Sequence, residues 1–382
     1  MSNRVDPDLH RKIAKFGNID VSTCMNCGNC TAVCSLADEK ASFPRKEIHY
    51  LQVGLKDKLL QSANPWLCYY CGDCSDSCPR NADPGEIMMA ARRYLTAQYD
   101  WTGLGAKMYI SKIWEFGALA AVALIVGALF YFFHGPMITS HVELNTFAPV
   151  KWVELGDIVM AAVLSFFLLS NAFRMSRFIL KSDDGKKIPF GLFFTELPSF
   201  VTHFATQKKW RQCNSSNKNW LRHILLVSGY VTMLTLILVF LRWFQTDEIH
   251  PIWHWTRLLG YYATGVLLYA TGSMMLSRLK KNDRIHKHTE PSDWIFLVLL
   301  FLTSLTGILV HFFRLAGWAL PTYYIYVIHL MIAVPMLVVE VPFGKWAHLL
   351  YRPLAVYLTA VKEKAETVVV AEKEEKESAV AA

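Results

Sequence analysis

Six long apolar runs decide most of what this chain can become. They centre on Phe116–His134, Ile158–Ile179, Ile224–Phe244, Leu258–Ser277, Trp294–Phe313 and Tyr323–Val341. Each is long enough to cross a hydrocarbon core, which takes about 20 residues of helix. A backbone in lipid must satisfy its own hydrogen bonds, so each run is read as a transmembrane helix and the fold class as all-α. The overall composition, 53% hydrophobic and 18% charged, is too apolar for an ordinary soluble chain of 382 residues. The excess is uneven. The first hundred residues are polar and hold eight of the nine cysteines, whereas the stretch from about Ser111 to Trp346 holds the apolar runs. The expected organisation is a head over residues 1–105, a six-span bundle over 106–355 and a charged tail over 356–382.

Loop charges set an expected orientation. From Arg174 to Arg222 there are ten Lys or Arg against three Asp or Glu, and "SRLKKNDRIHK" after the fourth run is also basic. The loops holding His141, His250 and Ala316 are poor in positive charge. The positive-inside rule then puts the basic loops, both termini and the head in the cytoplasm, with the spans in the cytoplasmic membrane. The opening residues "MSNRVDPDLHRKIAKFG" lack the apolar core of a signal peptide, which agrees. The net charge of +8 therefore reports topology, and a nucleic-acid partner is not expected. The tail "AVKEKAETVVVAEKEEKESAVAA" is expected to begin as helix and fray into disorder.

The head carries two cysteine motifs. "CMNCGNCTAVC" sets Cys24, Cys27, Cys30 and Cys34 in the spacing C-x2-C-x2-C-x3-C, and "CYYCGDCSDSCP" repeats it with Cys68, Cys71, Cys74 and Cys78. Three thiolates two residues apart can wrap three corners of a cubane, while the fourth reaches the other cluster. On that logic Cys24, Cys27, Cys30 and Cys78 hold one [4Fe-4S] cluster, and Cys34, Cys68, Cys71 and Cys74 hold the second. Zinc gains nothing from the repeated triplet, and a reducing cytoplasm argues against disulfides. Ser35 stands where the second motif has Pro79, which touches chain direction and not ligation. Between the motifs Ile48, Leu51, Leu55 and Leu59 recur at helical spacing, so the head is expected to be a helical ferredoxin rather than the compact strand-rich type. Cys213 stands alone in a basic loop and is read as an idle thiol. Two clusters in a small domain make an electron wire, and no pocket for a soluble substrate is evident.

Histidines supply the next signal, because ionisable groups in a bilayer are costly and mark function. His134, His223, His311, His329 and His348 lie at or near spans. A single histidine at a helix end is commonly interfacial, but a pair can clamp a b-type haem between helices. His223 begins the third span and His348 ends the sixth, which pairs them on an inner haem. His329 lies 19 residues before His348, roughly 28 Å along a helix, at the depth of a second, outer haem. Nineteen residues overshoot a whole number of turns by about 100°, and Pro335 and Pro342 lie between, so a kink or a π-bulge is needed to turn both imidazoles inward. Met233 and His311 are the two candidates for the outer haem's second ligand. Glu340 is the main intramembrane carboxylate, a group for proton transfer or a partner for Lys345. No chain of acidic residues inside the spans is evident, and quinone-site residues are not identifiable from Arg314, Tyr323, Tyr324 and His311.

With these residues on the page, the chain resembles known families. The cysteine motifs look like those of the small iron-sulfur protein of heterodisulfide reductase, its C subunit. The membrane part resembles the gamma subunit of respiratory nitrate reductase and the cytochrome b subunit of heterodisulfide reductase, with His223, His329 and His348 on the family's haem positions. Met233 departs from that pattern, and the first span has no counterpart there. The fusion of both parts is similar to the C subunits of the quinone-interacting membrane-bound oxidoreductases of sulfate-reducing microbes. The resemblance implies two [4Fe-4S] clusters, one or two b haems and menaquinone as substrate. It also implies cytoplasmic flavin and iron-sulfur partners resembling the A subunit of heterodisulfide reductase, with adenylylsulfate reductase downstream. Two other expectations stand beside it: a membrane anchor of a heterodisulfide reductase-type complex using methanophenazine, and a haem-free anchor for a ferredoxin head.

Overall fold

The computed structural model describes residues 5–37, 42–181, 188–212, 217–281 and 289–381, and among them every regular element is helical. The longer helices are α1 (Pro84–Tyr99), α2 (Lys112–Phe133), α3 (Val150–Leu180), α4 (Asn217–Leu238), α5 (Trp255–Lys280), α6 (Pro291–Leu315), α7 (Ala319–Pro335) and α8 (His348–Ala381). The chain divides into two units. The first comprises Met1–Ala106, Ser170–Ser215 and Ala347–Ala382, and the second Lys107–Leu169 and Ser216–Trp346.

The first unit is built around α1 and the end of α3. Its core holds Leu9, Ile13, Ile48, Leu51, Leu59, Ile87, Met88, Leu95 and Met175, all fully buried. Trp66, Tyr99 and Tyr351 close on one another at ring separations of 5.2 to 6.3 Å, and Trp66 Nε1 donates to Tyr99 Oη at 3.3 Å. Arg93 and Glu86 form a buried ion pair: Arg93 Nη1 donates to Glu86 Oε1 at 3.1 Å and to the carbonyl of Phe16 at 3.0 Å. The helical spacing between the motifs is realised as two helices, Arg45–Gln52 and Lys56–Gln61. Gly54 divides them at φ +74°, and a β-carbon there would strike the Asp6 backbone, whose N–H donates to the Gly54 carbonyl at 2.8 Å. Close approach of two backbones overrides the periodicity. The C-terminal stretch was expected to fray, but it continues as α8 to Ala381, as its Ala, Glu and Lys content favours.

In the second unit α4 packs on α5, α5 on α6, α6 on α7, and α7 on α2. Five helices are long and apolar enough to cross a membrane: Lys112–Phe133, Val150–Leu180, Asn217–Leu238, Pro291–Leu315 and Ala319–Phe343. The chain is thus consistent with a multi-pass membrane protein. The fourth expected span, α5, has the length but falls short in apolarity. Its buried face reads Thr256, Gly260, Ala263, Thr264, Leu267, Ala270, Thr271, small or hydroxylated residues apart from Leu267, a composition that favours close helix packing. A β-carbon at Gly229 of α4 would meet Val266 and the Ala263 carbonyl of α5, so the two backbones lie close. Thr271 Oγ1 returns its hydrogen bond to the Leu267 carbonyl at 2.6 Å, which keeps the hydroxyl satisfied without water.

The last span does not run unbroken to His348. After Pro335 it widens into a π-helical turn at Met336–Glu340, resumes at Val341–Phe343, and stops at Gly344 in extended conformation. The π-turn falls inside the interval where a re-phasing was required. His348 then opens a separate helix, α8, so the single-helix distance to His329 does not apply.

Candidate iron-sulfur and histidine sites

The two cysteine motifs fold alike. Between the first two cysteines of each, Asn26 and Tyr70 both adopt φ +57°, and their N–H groups point at Cys24 Sγ and Cys68 Sγ at 3.5 and 3.3 Å. Between the next two, Gly28 and Gly72 sit at φ +90° and +93°, conformations that favour glycine, and each starts a four-residue helix, Asn29–Ala32 and Asp73–Asp76. The turn-to-helix step brings the third cysteine round toward the first two. Ala82 N–H similarly reaches Cys78 Sγ at 3.4 Å.

A cluster of iron atoms fits this arrangement. Cys34, Cys68, Cys71 and Cys74 line one cavity together with Phe43, Pro44, Tyr70 and Met88. Cys34 thus faces the thiols of the other motif. Burial pushes the Cys34 thiol up to about 11 and the Cys74 thiol higher still, with Cys68 and Cys71 adding to both. Burial likewise raises Cys30, with Cys24 and Cys27 beside it. Thiolates crowded in this way need a cation among them, and iron supplies it. Four thiols around one cavity suit a cluster whose corners each take one cysteine.

Positive groups missed in the sequence surround the second quartet. Arg352, from the start of α8, donates from Nε to the Trp66 carbonyl at 3.1 Å and from Nη2 to the Cys68 carbonyl at 2.9 Å, while its guanidinium lies 4.4 Å from the Tyr69 ring centre. Buried Arg92 lies within electrostatic reach of Cys68. Tyr69 also stacks on Trp210 at 5.3 Å and meets buried His203, its Oη 3.4 Å from Nε2. Burial drives the His203 imidazole down to about 4, helped by Arg352 and Lys209, so it is held neutral. No spacing rule could connect Arg352 to a motif 284 residues away.

The histidines are distributed between the units. His329 lies on α7 with Nδ1 3.0 Å from Thr306 Oγ1, and its ring edge fills the space beside Gly307 of α6. His311 on α6 is committed to Tyr261, with Nε2 2.7 Å from Oη. Met233 lies on α4, half-buried, and His223 lies in the second turn of the same helix. His348 belongs to the first unit. Tyr323 is buried and structural, donating to the Ile138 carbonyl at 2.9 Å, Tyr324 is exposed, and Arg314 donates to the Glu248 carbonyl at 2.8 Å. Lys345 pairs with Asp293 rather than with Glu340. Cys213 lies outside the described residues.

Residues 20–82 match the 4Fe-4S dicluster domain model. A heterodisulfide reductase C-subunit-like protein of Archaeoglobus profundus is 31% identical over 122 residues, 31% of this chain and 64% of the relative. The C subunit of the H(2):CoB-CoM heterodisulfide,ferredoxin reductase of Methanothermobacter marburgensis is 30% identical over 88 residues, 23% of this chain and 48% of the relative. An iron-sulfur C subunit of CoB–CoM heterodisulfide reductase from Methanocaldococcus jannaschii is 31% identical over 97 residues, 25% of this chain and 51% of the relative. The chain therefore spans about half to two thirds of the length of these relatives. No solved structure matches it. The N-terminal part is a 4Fe-4S ferredoxin-type domain similar to the C subunit of heterodisulfide reductase.

Proposed function

We propose that the chain is the membrane electron-transfer subunit of a quinone-linked oxidoreductase. It would pass electrons between menaquinol in the bilayer and flavin or iron-sulfur partners that dock on the head in the cytoplasm. The observation that carries this reading is the cavity lined by Cys34 from one motif and Cys68, Cys71 and Cys74 from the other, on a chain with five membrane-capable helices. Bound at this quartet and at Cys24, Cys27, Cys30 and Cys78, [4Fe-4S] clusters supply one-electron carriers. The chain's own residues tune them. Backbone N–H groups at Asn26, Tyr70 and Ala82 donate toward sulfur, and Arg352 and Arg92 offset the charge beside Cys68. Tyr69, Trp210 and the apolar wall of Phe43 and Met88 limit water at the second quartet.

In the membrane part, b haem is assigned to His223 with His348 and, at the outer site, to His329, with Met233 or His311 as its second ligand. Support comes from the His329 ring, held through Nδ1 by Thr306 and flanked by Gly307. Delivery of electrons toward adenylylsulfate reductase follows the family resemblance. The second reading, a heterodisulfide reductase-type membrane subunit, is favoured by the names of the relatives.

Spectra of the purified chain test the proposal. Dithionite reduction should produce a b-type absorption band together with iron-sulfur paramagnetic signals. Iron-sulfur signals without a b-type band would leave the haem-free anchor. Menaquinol added to oxidised protein should reduce the b-type centres, and no reduction would remove the quinone link.

A further inference from the structure

Glu340 closes the π-helical turn of the last span and is 0% exposed, with neither carboxylate oxygen hydrogen-bonded. Its carboxyl group folds back over Gly344, where a β-carbon would fall on Oε2 and Cδ. The missing side chain at Gly344 is the room the carboxyl group uses. Glu115, buried in the first turn of α2, is the charged group acting on Glu340. Asp293, buried in the first turn of α6, acts in turn on Glu115, as does Lys112 from α2 itself. Asp293 is paired with Lys345, whose side chain is 29% exposed. Carboxylates from three helices thus act on one another in series, Glu340 on Glu115 and Glu115 on Asp293, with Lys112 beside Glu115 and Lys345 paired to Asp293 at the rim.

An unpaired carboxylate in an apolar interior costs several kcal/mol, and a second one beside it adds repulsion. The pair is stable when it carries a proton or a small cation. We propose that Glu340 and Glu115 together hold one proton inside the membrane part, and that Asp293 and Lys345 connect this pair to water at the membrane edge. The inference stands on the second unit alone and does not need the quinone reading.

Infrared spectra of the full-length protein at neutral pH test it. The wild type should show a protonated-carboxyl C=O band that shifts in D2O. E340Q should lose the band, and E115Q, which removes the neighbour and leaves Glu340, should move or remove it. Absence of the band in wild type, or a band unchanged in both variants, overturns the proposal. Should E340Q fail to fold, an unmoved band in E115Q overturns it alone. A band that resists exchange in D2O removes the link through Asp293 and Lys345. A sodium-dependent rise in melting temperature that E340Q abolishes would assign the site to a cation instead.

Discussion

Replacing Cys34 by serine tests the crossing of the two motifs at a single atom. By sequence Cys34 closes the first motif, yet it lines the cavity of the second. C34S should lose the second cluster and keep the first, so that iron and acid-labile sulfide fall by about half on assay. Loss confined to the signal of the first cluster would contradict the crossing. Beside it, Arg352→Gln removes a positive charge from the Cys68 carbonyl while leaving the thiols in place. A reduced, more negative cluster is then less favoured, and redox titration should show a lower midpoint potential for the second cluster with the first unchanged. Glu86 and Arg93 form a buried pair, and R93A leaves the buried carboxylate without its cation, although the Tyr70 hydroxyl still donates to it. Destabilisation of about 3–5 kcal/mol is expected in denaturant unfolding of the head. The cysteines were legible because their spacing is local. Arg352, Arg92 and His203 were not, since they reach the cluster region from distant chain segments or from a helix face no spacing rule singles out.

At the scale of elements, His203 links helix stability to pH. Its folded value of about 4 lies below the ordinary 6.5, so the unfolded chain takes up a proton first as pH falls. The contribution of the neutral imidazole is fully present above pH 6.5 and is lost progressively toward pH 4. Hydrogen-exchange protection over the Leu197–Thr206 helix, corrected for the intrinsic rate at each pH, should fall as pH drops across that window, and His203→Gln should flatten the dependence. The pairing of α4 with α5 depends on Gly229, where even a β-carbon meets Val266. G229L should push the helices apart and lower the melting temperature of the membrane part, with overpacking of about 1–3 kcal/mol. Periodicity located the helices but missed the break at Gly54 and the stop at Gly344. Both are decided by what another stretch of chain or another side chain occupies, the Asp6 backbone in one case and the Glu340 carboxyl group in the other.

For the whole molecule, the haem assignments make a graded prediction. H329A should lower haem content in the pyridine haemochrome assay while leaving iron-sulfur signals intact, and H223A should remove the other haem. Retention of both haems after either change would overturn the ligand set. Comparison of M233A with H311A would then choose the outer partner, with His311 already engaged by Tyr261. The sequence by itself determined the all-helical class, the apolar segments and the two cysteine motifs, because bilayer thickness, helix period and ligand spacing are local rules. Tertiary structure alone decided which arginines stand beside the thiols and how closely α4 and α5 approach. It alone brought Glu115, Asp293 and Glu340 together from three helices. Burial is a property of neighbours, and neighbours far apart in the chain leave no periodic mark in the sequence.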